Sequence, residues 1–132
     1  MRQTREKFME QPRMQETRRY ERFPCAQMVT IRPKGTESTP DDARALVVDV
    51  SLGGLKMRTK ASLDTTEAYT LTMASGGNPI DFNGSIVHLV PGDESTESSI
   101  GFVFRPETHE ERVAIANFVH QVFTQAWNAE AA

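Results

Sequence analysis

Apolar and polar residues alternate with a period of two over much of the middle of the chain, most clearly at 69–73 and 99–104. Because successive side chains of a strand point to opposite faces, this alternation predicts half-buried strands. Gly84 interrupts one such run and is expected to mark a bend or a bulge. Turns rich in Gly, Pro, Asn and Asp separate these runs from four further predicted strands, at about 25–32, 44–51, 54–59 and 80–90.

The stretch Asp49–Gly54 ends one predicted strand and begins the next. Alternation along the first strand predicts a core-facing set of Leu46, Val48 and Val50. It also places Asp49 and Ser51 together on the outer face, with Cα atoms about 6.6 Å apart. Gly53 and Gly54 permit positive φ and close approach of a ligand to the backbone. Taken alone, this stretch is more typical of an ordinary hairpin turn than of a ligand site.

The last part of the chain has a helical period instead. Thr108 and Glu111 have the spacing of a capping box, which predicts a helix over about residues 107–127 followed by a disordered tail at 128–132. One apolar stripe follows the cap: Ile115, Phe118, Val119, Val122, Phe123, Ala126 and Trp127. Six antiparallel strands and one helix predict a mostly β fold, a small six-stranded antiparallel β-barrel with a C-terminal α-helix.

The length of 132 residues suits one domain, predicted over 18–127, and residues 1–17 are predicted to be a flexible N-terminal arm. Cys25 is the single cysteine, so an intramolecular disulfide is excluded. No run approaches the roughly 20 apolar residues that span a bilayer, and no secretory signal is visible. A cytoplasmic protein without membrane insertion is expected.

Charge is distributed unevenly along the chain. Residues 1–22 carry a net charge of +3, and the remainder carries −6. A basic arm on an acidic body indicates an anionic partner or an arm that docks on its own domain. The body is too acidic for a general nucleic-acid binder, so neither DNA nor RNA is an expected partner.

Signatures of catalysis and of metal binding are missing from the sequence. Ser51 is not in a Gly-x-Ser-x-Gly elbow, and there is no Gly-x4-Gly-Lys phosphate loop. His109 and His120 would lie about 16 Å apart along the helix, too far to share an ion. We therefore expect no enzyme activity, no metal site and no cofactor.

A cluster of arginines immediately precedes the first strand: Arg18, Arg19 and Arg22. Guanidinium groups bind phosphate oxygens and the O6/N7 edge of guanine. The Asp49 carboxylate only accepts hydrogen bonds, which suits the N1–H and N2–H donors of guanine, whereas Ser51 can donate and accept. Together, these side chains describe a receptor for a small, anionic molecule that contains guanine.

An Arg-x-x-x-Arg motif (Arg18, Arg22) followed by Asp-x-Ser-x-x-Gly (Asp49, Ser51, Gly54) resembles the PilZ domain, a family of bacterial receptors for cyclic di-GMP. The resemblance covers about residues 17–125, including Ser99–Phe104 and the terminal helix. It implies that cyclic di-GMP binds on the outer face of the barrel and that the arm folds over it.

The resemblance also implies the ligand-binding residues. In the family, a tryptophan that stacks on a base often occupies the position of His88 in this chain. A neutral imidazole offers a smaller stacking area than an indole. The alternation across Gly84 does not assign the face of the sheet on which His88 lies. The implied set is Arg18, Arg19, Arg22, Asp49, Ser51, Gly53, Gly54 and His88.

The function expected from this resemblance is a cyclic di-GMP receptor that signals through a protein effector. Three alternatives remain open: an adaptor of the same fold that does not bind nucleotide, a general nucleic-acid-binding barrel, and an enzyme. The effector, the process controlled, the ligand stoichiometry and the oligomeric state (monomer or homodimer) are not predicted by the sequence.

Overall fold

The structure is a computed structural model and describes residues 21–75, 78–93 and 96–131. Its strands pair antiparallel throughout and close into a barrel in the order β1-β2-β3-β6-β5-β4. The predicted fold of six strands and one C-terminal helix is therefore confirmed. The elements are β1 (Phe23–Pro33), β2 (Ala43–Val50), β3 (Gly54–Thr59), β4 (Ala68–Ser75), β5 (Asn78–Val90), β6 (Ser98–Phe104) and α1 (His109–Ala131).

The interior of the barrel is filled by alternate side chains of its strands, as expected for a barrel too narrow to hold a channel. The inward positions predicted for β4 and β6 are all buried, and so are Val29 and Ile31 of β1. Phe82, Leu55 and Met57 are among the largest side chains that are fully enclosed. This core fixes which positions of β2, β3, β5 and β6 face outward.

The predicted inward set of β2 is wrong at two of its three positions. Val50 is buried, but Leu46 and Val48 are only half-buried, and Ala45 and Val47 occupy the core in their place. The register with β3 shifts between Val47 and Asp49, which makes Val48 the extra residue of a β-bulge. Odd-numbered residues of β2 face the core before the bulge, and the even-numbered Val50 faces it after the bulge. A prediction from strict alternation cannot include such a change.

A second bulge lies in β5, where the register with β6 shifts between Ile86 and His88. The bend predicted at Gly84 is therefore three residues further along, at Val87. Gly84 serves a different purpose, because a Cβ there would lie 2.6 Å from ring atoms of Phe102. Its missing side chain makes room for an aromatic ring of the core.

Helix α1 begins at the predicted capping box, in which the Glu111 N–H donates to Thr108 Oγ1 over 3.1 Å. The helix packs on β1 and β5. The first part of its stripe is buried, but Phe123 and Trp127 are 40% and 62% exposed. The helix continues to Ala131, beyond the predicted end at about residue 127, since Ala and Glu in this stretch favour helix. It is not apolar enough to cross a membrane.

Candidate functional site

The side chains of Arg22 and Asp49 meet on the outer face of the barrel, where the chain enters β1 and leaves β2. Arg22 Nε donates to Asp49 Oδ1 over 2.7 Å, and Nη2 lies 2.5 Å from the same oxygen. Both side chains are about one quarter exposed. Asp49 Oδ2 accepts no hydrogen bond from a described residue. The structure brings these two predicted residues together, whereas Arg18 and Arg19 lie outside the described residues.

Ser51 does not share the outer face with Asp49 as predicted. It is only 3% exposed, because β2 ends at Val50 and the chain turns there. The Ser51 hydroxyl accepts from the Gly53 N–H over 3.2 Å and lies 3.3 Å from the carbonyl oxygen of Gly54. The Ser51 N–H also donates to that carbonyl over 2.8 Å. Ser51 therefore closes the turn that follows Asp49.

The two glycines of this turn do not adopt the left-handed conformation that the sequence allowed. Among the described glycines, Gly35 alone has a positive φ, of 90°. Gly54 is required for another reason: a Cβ there would lie 2.1 Å from the carbonyl oxygen of Phe102 on β6. The Gly53 carbonyl accepts from the Phe104 N–H over 3.0 Å. Both glycines therefore join the turn to β6 and hold it beside the site.

His88 lies on the same outer face as Asp49, on the far side of two other strands. Asp49 pairs with Lys56 of β3, Lys56 with Gly101 of β6, and Gly101 with His88 of β5. We call these four residues the cross-strand row. It spans three strand spacings, about 14 Å. The bulge at Val87 turns His88 outward, where it is exposed.

The sequence did not single out Lys56 or Gly101 as site residues. The signal that could have found Lys56 is the alternation of β3, in which Leu55 and Met57 are buried and Lys56 is exposed between them. Gly101 could not be found in this way, because its place beside His88 depends on the pairing of β5 with β6.

Cys25 lies close enough to the Asp49 carboxylate for the charge of that group to shift the pKa of its thiol. Burial raises the pKa of the Cys25 thiol, and the negative charge of Asp49 raises it further. The thiol is therefore neutral at pH 7. The described residues include no group of three or more His, Cys, Asp or Glu side chains that could hold a metal ion.

Comparison with solved structures shows the same fold in three proteins of low sequence identity. The PilZ domain of YcgR from Escherichia coli, solved with c-di-GMP, is 13% identical, with 86% of this chain and 97% of that chain covered at a TM-score of 0.66. The PilZ domain of CeSA from a cellulose-synthesizing bacterium is 14% identical (76% and 96% covered, TM-score 0.59). The MrkH–c-di-GMP complex of K. pneumonia is 16% identical at a TM-score of 0.62, and the match covers 83% of this chain but only 52% of MrkH.

A search among curated proteins gave no match. The PilZ domain family model matches residues 16–121, which include the arginine cluster, the whole barrel and the first part of α1. The chain thus belongs to the PilZ domain family.

Proposed function

We propose that this chain is a receptor for cyclic di-GMP. The observation that carries the proposal is the Asp49 carboxylate, which Arg22 contacts through one oxygen and whose other oxygen accepts no hydrogen bond from a described residue. Guanine offers two adjacent donors, N1–H and N2–H, to such an acceptor. Membership of the PilZ family supports the proposal. Structures of two neighbours, the YcgR domain and MrkH, were determined with c-di-GMP.

In this proposal, different side chains of the site contact different parts of the ligand. Asp49 would accept from the guanine edge, while Arg18, Arg19 and Arg22 would bind phosphate oxygens and the O6/N7 edge. His88, at the other end of the cross-strand row, would stack on a base. These contacts place the ligand along the outer face of β2, β3, β6 and β5.

Ser51, Gly53 and Gly54 have a supporting role in this proposal. The Ser51 hydroxyl is occupied within the turn, and Gly54 allows the turn to lie against β6. The turn fixes the position of Asp49 on the outer face of the barrel. Binding to a fixed acceptor loses less side-chain conformational entropy of the protein than binding to a mobile one.

The proposed output is a change in the N-terminal arm. When ligand binds, the segment that carries Arg18 and Arg19 would close over it, and the changed surface would be read by a protein effector. Cyclic di-GMP is bound and not consumed in this scheme.

Calorimetry with cyclic di-GMP, GTP and cyclic GMP tests the proposal. We expect saturable binding of cyclic di-GMP, with a stoichiometry of one or two per chain, and much weaker binding of the other two nucleotides. Replacing Arg22 by Ala should weaken binding at least tenfold, because hydrogen bonds to charged groups contribute about 1.5–3 kcal/mol each. Absence of binding to the parent chain would overturn the proposal.

A second candidate function is an adaptor that acts through protein partners without nucleotide. The exposed apolar residues of α1 favour it, since Val113, Phe123 and Trp127 are at least 40% exposed. Such residues commonly mark protein interaction surfaces when they are contiguous. The same calorimetric titration separates the two functions, because an adaptor of this kind shows no heat of cyclic di-GMP binding.

A further inference from the structure

Lys56 lies on the outer face of β3, in the middle of the strands that the proposed ligand would cross. It pairs with Asp49 on one side and with Gly101 on the other. Its side chain is exposed, and no carboxylate of a described residue lies within 4 Å of its ammonium group. Its cross-strand neighbour Asp49 is paired with Arg22 instead. Lys56 thus presents a cation that the described part of the protein does not neutralise.

Gly101 leaves the next position of the cross-strand row without a side chain. A Cβ at Gly101 would lie 3.2 Å from the Cβ of His88 and 3.9 Å from Cγ2 of Val87, so both side chains of β5 border this glycine. Between Lys56 and His88 the surface is therefore formed by backbone. A flat ligand could lie directly on the sheet there, with Lys56 at its edge.

The charge of the ligand decides what Lys56 would contact. Cyclic di-GMP carries two phosphates between its two guanines. Lys56 is the cross-strand neighbour of Asp49, about one strand spacing, roughly 5 Å, away, so a ligand whose guanine is held by Asp49 lies beside this lysine. Arg22 already directs two of its donors to Asp49 Oδ1. Resting on the receptor function proposed above, we propose that Lys56 is a further ligand-binding residue, a phosphate-binding cation fixed on the barrel.

The inference predicts a charge-specific loss of affinity. Full-length Lys56→Gln is expected to bind cyclic di-GMP about tenfold more weakly than the parent, as for loss of one charged hydrogen bond. Its dissociation constant should also rise less steeply with salt, because one ionic contact is gone. Lys56→Arg keeps the cation and should bind within about threefold of the parent.

Lys60 provides the matched control. It is an exposed lysine just beyond the other end of β3, outside the cross-strand row. Lys60→Gln changes the net charge by the same amount and should bind like the parent. Calorimetry at two salt concentrations, about 50 and 250 mM, compares all four proteins, in the range where screening changes strongly.

The outcomes separate this inference from the proposed function. If the parent chain binds and Lys56→Gln binds equally well, Lys56 does not contact the ligand although the receptor function stands. Equal losses in Lys56→Gln and Lys60→Gln would also overturn the inference, since they indicate a general effect of net charge. If the parent chain itself does not bind cyclic di-GMP, the receptor function fails and the inference fails with it.

Discussion

The Arg22–Asp49 pair joins two residues that lie 27 positions apart in the sequence. Exposed or partly exposed ion pairs contribute only about 0–1 kcal/mol to folding, because water screens them and the side chains lose rotamer freedom. The pair therefore contributes little to folding stability. In the proposed receptor the pair also has a geometric role, since Arg22 orients the carboxylate that faces the ligand in addition to contacting the ligand itself.

Replacing Asp49 by Asn separates the two roles. The amide puts an N–H group among the guanine donors, so we expect cyclic di-GMP affinity to fall at least tenfold, the loss of one charged hydrogen bond. The free energy of unfolding in urea should change by less than about 1 kcal/mol. Calorimetry and urea titration of the same preparation measure both quantities.

Asp81 offers a matched control on another part of the barrel. It accepts from Thr72 and pairs with Arg32 over 3.3 Å, so it is also a carboxylate held by an arginine. Asp81→Asn should have a similarly small effect on stability and none on ligand affinity. Equal losses of affinity in the two variants would contradict the assignment of Asp49.

At the scale of secondary-structure elements, the terminal helix combines two surfaces. Phe118 is 5% exposed, and its ring centroid lies 5.5 Å from that of Phe82 in the barrel core. Trp127 belongs to the same apolar stripe but is 62% exposed. The helix is thus anchored by its buried first part, whereas the Trp127 side chain near its end is mostly exposed.

Alanine substitutions at these two aromatic residues should differ sharply in their effect on stability. Phe118→Ala removes a buried ring and is expected to lower the free energy of unfolding by about 3–5 kcal/mol. Trp127→Ala removes an exposed ring and should cost less than about 0.5 kcal/mol. Urea unfolding followed by circular dichroism measures both values. Similar losses would show that the end of the helix is buried against something in solution.

The strands, the turn after β2 and the helix differ in how well a sequence pattern predicts which side chains are buried. Alternation predicted the inward residues of β4 and β6, because these strands pair without a bulge on those positions. It failed at Val48 and left the face of His88 open, because the residue that bulges is set by pairing with a neighbouring strand. It failed at Ser51 because a turn, not a strand, determines where that side chain points. Helical periodicity predicted the stripe of α1 but not how far the barrel covers it.

At the scale of the whole molecule, the candidate site depends on the order of strands in the barrel. Local sequence indicated Arg22 and Asp49 through the spacing of two motifs. The row that continues to His88 exists because β6 lies between β3 and β5. This strand order is set when the barrel closes, and the spacing of motifs in the sequence does not reveal it.

The barrel also provides an internal reference for the proposed closure of the arm. Strand β4 lies between β1 and β5, away from the cross-strand row, and its hydrogen bonds are made within the barrel. If the arm folds over bound cyclic di-GMP, amide exchange in residues 1–22 should slow when the ligand is added, since exchange reports local opening. Exchange in β4 should change much less. Hydrogen–deuterium exchange with mass spectrometry, at ligand concentrations that calorimetry shows to be saturating, measures both. Saturated binding with unchanged exchange in residues 1–22 would reject arm closure while leaving the receptor function in place.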